Sequence, residues 1–347
     1  MRSMKKLKSI LRPEYIAFLA IYLVLTGLHN FGVINSYLFQ VITIAGINVI
    51  MTISLNMVIG ITGQFSMGHA GFMSIGAYTG AVVSRLAYQM FSSGTAADEL
   101  VLLVAMLCGG VVSAFFGFLI AMPTLKVRGD YLAIVTLGFG EIVRAVWRVV
   151  DYTGGALGFT GIPKLTSFTW VFVMILVAMY ASRNFIGSAY GRSCLAIRDN
   201  EIAAEAMGIN CRNYKVLAFV FAAFLAGVAG TLYAHLIQFI QPDNFASAKS
   251  TDYIVYLYAG GVGTISGSIF GAIALTILPE LLRFLSDWRL VIYALLLLYI
   301  IIWQPHGLFG GREFKFLHLE TIPATQSKLG SMIRSKVASM RKKKVAP

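Results

Sequence analysis

Residues 101–122 read VLLVAMLCGGVVSAFFGFLIAM and contain no charged side chain. An uninterrupted apolar run of more than about 18 residues predicts a helix that crosses a lipid bilayer. The composition agrees, because 58% of the residues are hydrophobic, 12% are charged, and the mean hydropathy is +0.77. Soluble domains carry about 25% charged residues. The sequence therefore predicts an all-α polytopic membrane protein and excludes a soluble domain.

Similar apolar segments recur along the chain and together predict about ten transmembrane helices. They cover residues 15–33, 38–60, 65–91, 99–122, 130–150, 166–184, 214–240, 251–263, 264–285 and 288–304. The count depends on TDYIVYLYAGGVGTISGSIFGAIALTILPELLRFL (251–285), which is either one long helix or two short helices broken at the glycines. Two helices are favoured, because a single crossing would separate the basic C-terminal tail from the N-terminal side of the membrane.

The net charge of +13 is concentrated at the two ends of the chain and in alternate connections, including Lys126, Arg128 and the loop 191–213. An excess of basic residues marks the cytoplasmic segments of membrane proteins. We therefore expect both termini to be cytoplasmic, and we expect no nucleic-acid partner. The predicted organisation is a basic cytoplasmic N-terminus (1–13), a transmembrane domain (14–305) and a basic cytoplasmic tail (306–347).

The stretch GQFSMGHAGFMSIGAYTG (63–80) combines glycines with the polar residues Gln64, Ser66 and His69. After Gly71 the glycines follow helical spacing, which favours close packing between helices. Before Gly71, polar side chains and crowded glycines favour a broken or re-entrant element in residues 60–70, because non-helical backbone at membrane depth must face protein or a watery cavity. Such an element would line a transport path, although a histidine in this position is more often a packing residue.

The stretch RGDYLAIVTLGFGEIVRAVWR (128–148) places Glu141 near the middle of a predicted span. An ionisable group at that depth costs about 2.5–3.5 kcal/mol on insertion scales and marks a pathway or an ion pair. Arg144 follows at i+3, so a Glu141–Arg144 pair is predicted. Thr136 and Gly138 extend a small polar stripe that fits either a transport path or a structural contact.

The polar stretch RDNEIAAEAMGIN (198–210) predicts a short helix outside the membrane. Asp199 or Asn200 is placed to cap its start and Gly208 to end it. A helix of this length is only marginally stable by itself, so contacts with neighbouring residues or with a partner must stabilise it. The chain contains no Walker A pattern, no nucleophile elbow and no H-E-x-x-H motif, so it is expected to lack an ATPase site, a catalytic residue and a metal site of its own.

The segment IAAEAMG (202–208) resembles the E-A-A-x-x-x-G loop with which membrane subunits of ABC importers dock on their ATPases. Ala203, Ala204 and Gly208 match the pattern, whereas Ile202 replaces its leading glutamate. Longer stretches resemble the branched-chain amino-acid ABC transporter permeases of the LivM type. They are GQFSMGHAGFMSIGAY, DYLAIVTLGFGEIVR, TGGALGFTGIP, GRSCLAIRDNEIAAEAMGINCRNYKVLAFVFAAFLAGVAGTLYAH and QPHGLFG, and the resemblance covers about residues 40–310.

The resemblance implies a permease subunit of an importer in the bacterial cytoplasmic (inner) membrane. Its implied partners are a second related permease subunit, two ATPase subunits and an external substrate-binding protein. ATP and Mg would be bound by the ATPases, and this chain would hold no cofactor. The ATPase-coupling loop would include Arg198, Glu201, Ala203, Ala204, Glu205 and Gly208. The implied substrates are branched-chain or similar amino acids; the alternatives are urea or short amides, and a less favoured one is a stand-alone secondary transporter.

Overall fold

A computed structural model describes residues 13–32, 34–90, 95–124, 131–304, 307–308 and 313. The basic residues of 1–12, Lys126, Arg128 and most of the tail after residue 306 lie outside the described residues. In the first part of the chain the helices are α1 (Pro13–Asn30), α2 (Ser36–Asn56), α3 (His69–Met90), α4 (Thr95–Thr124), α5 (Tyr131–Val149) and α6 (Phe168–Gly187). A π-helix, Met57–Ile61, continues α2.

The second part of the chain contains two short helices followed by four longer ones. They are α7 (Ala189–Asp199), α8 (Glu201–Ala206), α9 (Cys211–Ile237), α10 (Ser247–Gly260), α11 (Ile265–Leu281) and α12 (Arg289–Trp303). Short 3₁₀ segments cover Asp151–Thr153, Gly155–Leu157, Pro242–Phe245 and Leu282–Trp288. The described residues contain no β-strand beyond one isolated bridge between Phe159 and Ile240.

Each apolar segment predicted from the sequence coincides with a helix to within a few residues, so the all-α polytopic class is confirmed. Within the described part of the chain, five helices are long and apolar enough to cross a membrane: Ser36–Ile61, Asp98–Thr124, Phe168–Gly187, Cys211–Ile237 and Ile265–Leu285. Helix α12 contains a shorter apolar stretch, Val291–Ile300. The number of ten crossings stays a prediction, because the remaining helices are shorter or less apolar.

Helix α2 lies at the centre of the bundle, since 94% of the most apolar window in Ser36–Ile61 is buried. Helices α3, α4 and α9 pack closely on one another, and glycines form their contacts. A Cβ atom at Gly76 would lie 2.1 Å from the carbonyl oxygen of Gly227, and one at Gly80 would lie 2.4 Å from Thr231 Cγ2. The predicted packing role of the glycines after Gly71 is therefore confirmed.

The outer surface of the bundle is apolar where it would meet lipid. Along α4, Leu107, Val111 and Phe115 are all at least half exposed. In a soluble protein such a stripe would be an unpaired hydrophobic patch. In a bilayer it faces acyl chains, which explains why a helix with one buried and one exposed apolar face is stable here.

The chain breaks at the two glycine-rich places predicted from the sequence. Residues 63–68 are not helical, and they separate the π-helix from α3. Residues 261–264 separate α10 from α11, so the segment 251–285 contains two helices rather than one. Gly63, Gly261 and Gly263 have positive φ angles of 71°, 126° and 83°, conformations that side chains with a Cβ rarely adopt.

Candidate coupling loop and transport path

Helix α8 has a defined beginning and end, both of which follow from its sequence. The side chain of Asn200 accepts a hydrogen bond from the backbone N–H of Ala203 at 3.0 Å, which caps the first turn. At the other end, the N–H of Ile209 donates to the Ala204 carbonyl and the N–H of Gly208 to the Glu205 carbonyl. Gly208 has a φ of +83°, so these bonds form a Schellman motif. The predicted cap and stop are confirmed.

The exposed face of α8 carries large apolar side chains. Ile202 is 75% exposed and Met207 is 82% exposed, and Ala203 and Glu205 lie beside them. Ala204 is buried and packs in a small cluster with Ile197 and Cys211. The two alanines of the resembled motif therefore have different surroundings: one faces outward, and the other attaches the helix to its own chain.

One ion pair and one charge-assisted hydrogen bond hold the loop against the bundle. The Lys215 ammonium lies 2.7 Å from the Glu201 carboxylate and so joins α8 to α9. Arg198, at the end of α7, donates from Nη1 to the carbonyl oxygen of Gly60 at 2.9 Å and thus joins α7 to the π-helix. The short helices are consequently fixed to two membrane helices, which supplies the support that a two-turn helix lacks by itself.

Glu201, Glu205 and Cys211 bring possible metal-ligand atoms within 4.8 Å of one another. Glu201, however, is already paired with Lys215, and the Cys211 thiol donates to the Glu201 carbonyl oxygen. Nearby Cys194 is fully buried in α7, and burial raises the pKa of its thiol to about 11. A neutral thiol is a poor metal ligand and a poor nucleophile, so we assign Cys194 a packing role.

The broken segment 63–68 lies against α5. The hydroxyl of Thr136 accepts a hydrogen bond from the Met67 N–H at 3.0 Å, and a Cβ at Gly68 would lie 2.0 Å from the Thr136 carbonyl oxygen. Gly71 faces Gly140 on the same helix, with 3.0 Å between a Cβ at Gly71 and the Gly140 Cα. The structure thus brings the two stretches predicted to line a path into direct contact.

The polar side chains predicted in these two stretches are buried. Gln64, Ser66, His69 and Thr136 are each at most 7% exposed. Ser66 Oγ has no hydrogen-bond partner among the described residues. A buried hydroxyl without a partner costs about 1–3 kcal/mol, so Ser66 Oγ is a candidate contact for water or a polar solute.

His69 is the first residue of α3 and is also buried. Its Nε2 lies 2.7 Å from Ser54 Oγ, and the Ser54 hydroxyl donates to the Ala222 carbonyl at 2.6 Å. Because the serine has a single hydroxyl hydrogen, Nε2–H is the donor to Ser54. The other ring nitrogen, Nδ1, has no partner within the described part of the chain. Through Ser54, His69 therefore links α3 to α2 and α9, and its Nδ1 remains an acceptor without a partner among the described residues.

Glu141 forms the predicted pair with Arg144, at 3.2 Å. Its Oε1 also accepts from the backbone N–H of Ser247 at 3.3 Å, which joins α5 to α10. Arg144 and Arg148 both reach Asp243 in the segment before α10. The Glu141 side chain is 37% exposed, so it lies in a partly open charged network. Gly138, one turn earlier, is partly exposed, and a Cβ there would meet nothing within 4 Å.

Sequence reasoning missed several residues of this region. Asn56 in α2 bonds to the break between α10 and α11, and Ser250 Oγ accepts the Ala70 N–H at 2.9 Å. Asp243, which holds both arginines of α5, was not singled out either. The one signal in the sequence was the polarity of Asn56 within an apolar run, since a polar side chain there needs a partner.

A family profile and individual relatives both indicate the same family for this chain. The profile described as "Branched-chain amino acid transport system / permease component" matches residues 37–302. The "High-affinity branched-chain amino acid transport system permease protein LivM" of Escherichia coli is 30% identical over 88% of this chain and 80% of its own length. The LivM of Salmonella typhimurium is 31% identical over 78% of this chain and 69% of its own length.

A more distant relative transports a different kind of molecule. The "Autoinducer 2 import system permease protein LsrC" of Salmonella typhimurium is 28% identical over 58% of this chain and 61% of its own length. No solved structure matches the chain significantly. The similarity is therefore to permease proteins of transport systems, whose named cargo differs from one relative to another.

Proposed function

Because the chain belongs to the family of branched-chain amino acid transport system permease components, we propose that it is the membrane-spanning permease subunit of an ATP-driven importer. It is a multi-pass membrane protein that binds ATPase subunits through the exposed face of α8 and moves its substrate by alternating access. The proposed substrates are branched-chain or similar amino acids, in keeping with the names of its LivM relatives.

The observation that carries this proposal is the exposed apolar face of α8. Ile202 and Met207 are more than 70% exposed on a helix that the chain nevertheless fixes by a cap, a Schellman motif and the Glu201–Lys215 ion pair. A rigid helix that presents unpaired apolar side chains suits a protein partner. The lipid around the bundle does not suit it, because α8 also exposes Glu205 and follows directly on the polar residues Asp199 and Asn200.

The second support is the burial of polar residues in the broken segment, at the start of α3 and in α5. Ser66 Oγ and His69 Nδ1 have no partners within the described residues, yet a hydrophilic solute has to pass polar groups of this kind. A transporter that closes and opens around such a site requires two discrete arrangements of packed helices, which glycine contacts such as Gly68–Thr136 allow.

The remaining parts of the proposal concern the assembly. We place the chain in the bacterial cytoplasmic membrane with both termini, α7 and α8 on the cytoplasmic side. Two ATPase subunits, which hold ATP and Mg, a second related permease and an external binding protein complete the importer. ATP binding moves α8, and the movement opens the path alternately to the two sides of the membrane.

The docking assignment is tested by Ala203→Arg, which places a long charged side chain on the exposed face of α8. Ala189→Arg is the matched control, because Ala189 is also exposed but lies at the far end of α7. Co-purification with the importer's own ATPase subunits is measured, together with uptake of radiolabelled leucine. We expect Ala203→Arg to lower both by at least about tenfold, equivalent to about 1.4 kcal/mol, and Ala189→Arg to lower neither. Unchanged association in both variants would refute the docking surface.

A further inference from the structure

Arg198 lies at the junction between the proposed docking loop and the membrane bundle. It belongs to the last turn of α7, two residues before the Asn200 cap of α8. Its side chain extends towards the bundle, where Nη1 donates to the Gly60 carbonyl oxygen at 2.9 Å. The carboxylate of Asp199 accepts from Nε and Nη2 at 3.3 and 3.1 Å, which orients the guanidinium.

Gly60 offers a carbonyl that a cation stabilises. It lies in the π-helix that ends the span Ser36–Ile61, and the last carbonyls of a helix have no partner inside that helix. The C-terminal end also carries the negative end of the helix dipole. Arg198 therefore caps the end of the most deeply buried span of the bundle with a charge-assisted hydrogen bond.

The same side chain touches both places where the backbone is broken. A Cβ at Gly63, at the start of the non-helical segment 63–68, would lie 3.0 Å from Arg198 Cγ. A Cβ at Gly263, in the break between α10 and α11, would lie 3.4 Å from Arg198 Nη1. Gly63 and Gly263 both have positive φ angles, and only residues without a Cβ adopt these readily while letting a side chain approach so closely.

The break between α10 and α11 is also bonded to the end of α2. Asn56 Oδ1, one helical turn before Gly60, accepts the N–H of Gly263 at 2.9 Å, and its Nδ2 donates to the Thr264 carbonyl at 3.1 Å. Arg198, the end of the π-helix and the 261–264 break thus form one contiguous group of hydrogen bonds. Through Arg198, α7 is in direct contact with this group.

We infer that Arg198 is the positioning residue that transmits movement of the docking loop to the two broken segments of the bundle. The inference rests on the proposed function, because it assumes that α7 and α8 move with an ATPase. It adds a specific mechanical link: the guanidinium binds a helix end and lies between two glycines whose backbone can rotate. Without that link the loop still docks, but its movement no longer reaches the path.

The test replaces Arg198→Gln in the importer reconstituted with its ATPases and binding protein in liposomes. Three quantities are measured: ATPase co-purification, ATP hydrolysis, and the number of substrate molecules imported per ATP. We expect association and hydrolysis to stay within about twofold of the unsubstituted importer, while import per ATP falls at least about tenfold. A merely structural role would instead lower all three together, along with the thermal unfolding temperature.

Arg192→Gln is the matched control. Arg192 lies on the same helix, and its Nη1 donates to the carbonyl of Gly187 at the end of α6, at 2.7 Å. It therefore caps a helix end as Arg198 does, but that end has no neighbouring break. We expect its import per ATP to be unchanged. Equal ratios for the Arg198→Gln and Arg192→Gln importers would overturn the inference.

Two further outcomes separate the inference from the proposed function. If the unsubstituted chain neither binds the ATPases nor requires ATP for uptake, the proposed function fails. If it does both and the Arg198→Gln importer keeps its full import per ATP, only the inference fails. Should Arg198→Gln not fold, Arg198→Lys replaces it, because lysine keeps the charge but loses the planar fork. We then expect import per ATP to fall at least threefold, and an unchanged ratio would overturn the inference.

Discussion

The side chain of Asn56 accepts a hydrogen bond from the backbone N–H of Gly263 at 2.9 Å, and it is fully buried where it does so. The same amide donates to the Thr264 carbonyl. A short stretch of backbone that has left helical geometry is thus satisfied by one side chain of a neighbouring helix. Non-helical backbone inside a membrane protein requires such partners, because lipid supplies none.

Asn56→Ala is expected to destabilise the chain by about 1–3 kcal/mol. The substitution leaves the Gly263 N–H without its partner, and one unsatisfied buried group costs about 1–3 kcal/mol. The Thr264 carbonyl still accepts from the N–H and the hydroxyl of Ser268. The measurement is the thermal unfolding temperature of the detergent-solubilised protein. Asn184→Ala serves as the control, because Asn184 is exposed. An unfolding temperature that falls equally in both variants would contradict the role of Asn56.

Gly76→Ala is expected to disrupt the packing of α3 on α9. The added methyl group would lie 2.1 Å from the Gly227 carbonyl oxygen, which belongs to backbone and cannot rotate away. Overpacking of this kind costs about 1–3 kcal/mol or more. Gly27→Ala in α1 meets nothing within 4 Å, and alanine has the higher helix propensity, so its stability should be equal or higher. Comparable unfolding temperatures for the two variants would show that α3 and α9 tolerate separation.

The helices themselves were predictable because their signal is local. A long apolar run specifies a membrane helix whatever it packs against, and each predicted segment coincides with a helix. Local spacing also predicted the Glu141–Arg144 pair, the Asn200 cap and the Gly208 stop, since all three depend on residues within one or two turns of one another.

The contacts that join the breaks were not predictable in this way. Arg198 and Gly60 lie 138 positions apart in sequence, and Asn56 and Gly263 lie 207 positions apart. Their pairing depends on how the helices assemble, and no spacing within a single sequence encodes it. The exposure of Ala203 and the burial of Ala204 likewise follow from the packing of α8 on α9, although both alanines fit the same motif.

Cys194 gives a prediction about pH. Burial raises the pKa of its thiol to about 11, because an apolar environment disfavours the thiolate. A chain that retains Cys194 but carries Cys108→Ser and Cys211→Ser should react with N-ethylmaleimide at least about tenfold more slowly at pH 8 than an exposed thiol. The rate should keep rising up to about pH 11, whereas that of an exposed thiol flattens near its ordinary pKa.

The exposed reference for Cys194 is Ala189→Cys in a chain whose three native cysteines are replaced by serine, since Ala189 lies on the same helix. The raised pKa also sets the sign of a stability effect. Between the ordinary thiol pKa and about pH 11, the Cys194 thiol keeps its proton in the folded state but loses it in the unfolded state. Its contribution to the free energy of unfolding is therefore complete below the ordinary thiol pKa and is lost as the pH rises towards 11. Equal labelling rates for the two chains would contradict the burial of Cys194.

Glu141→Gln separates a transport role from a structural one. The glutamine can still accept the Ser247 N–H but loses the charge opposite Arg144. Because the two side chains are 37% and 22% exposed, the ion pair contributes at most about 1 kcal/mol to folding, and the unfolding temperature should change little. If Glu141 lines the path, uptake of radiolabelled leucine should fall by about tenfold.

The control for Glu141 is Glu280→Gln in α11, which removes a second Glu–Arg pair at i,i+3 spacing, with Arg283 at 3.1 Å. That pair lies on a different helix from the Glu141 network, so its loss should leave uptake unchanged. A folded Glu141→Gln variant with normal uptake would assign Glu141 to the attachment of α5 to α10. Reduced uptake in Glu141→Gln alone would instead show that the charge acts on the substrate's route, since the two variants lose the same kind of ion pair.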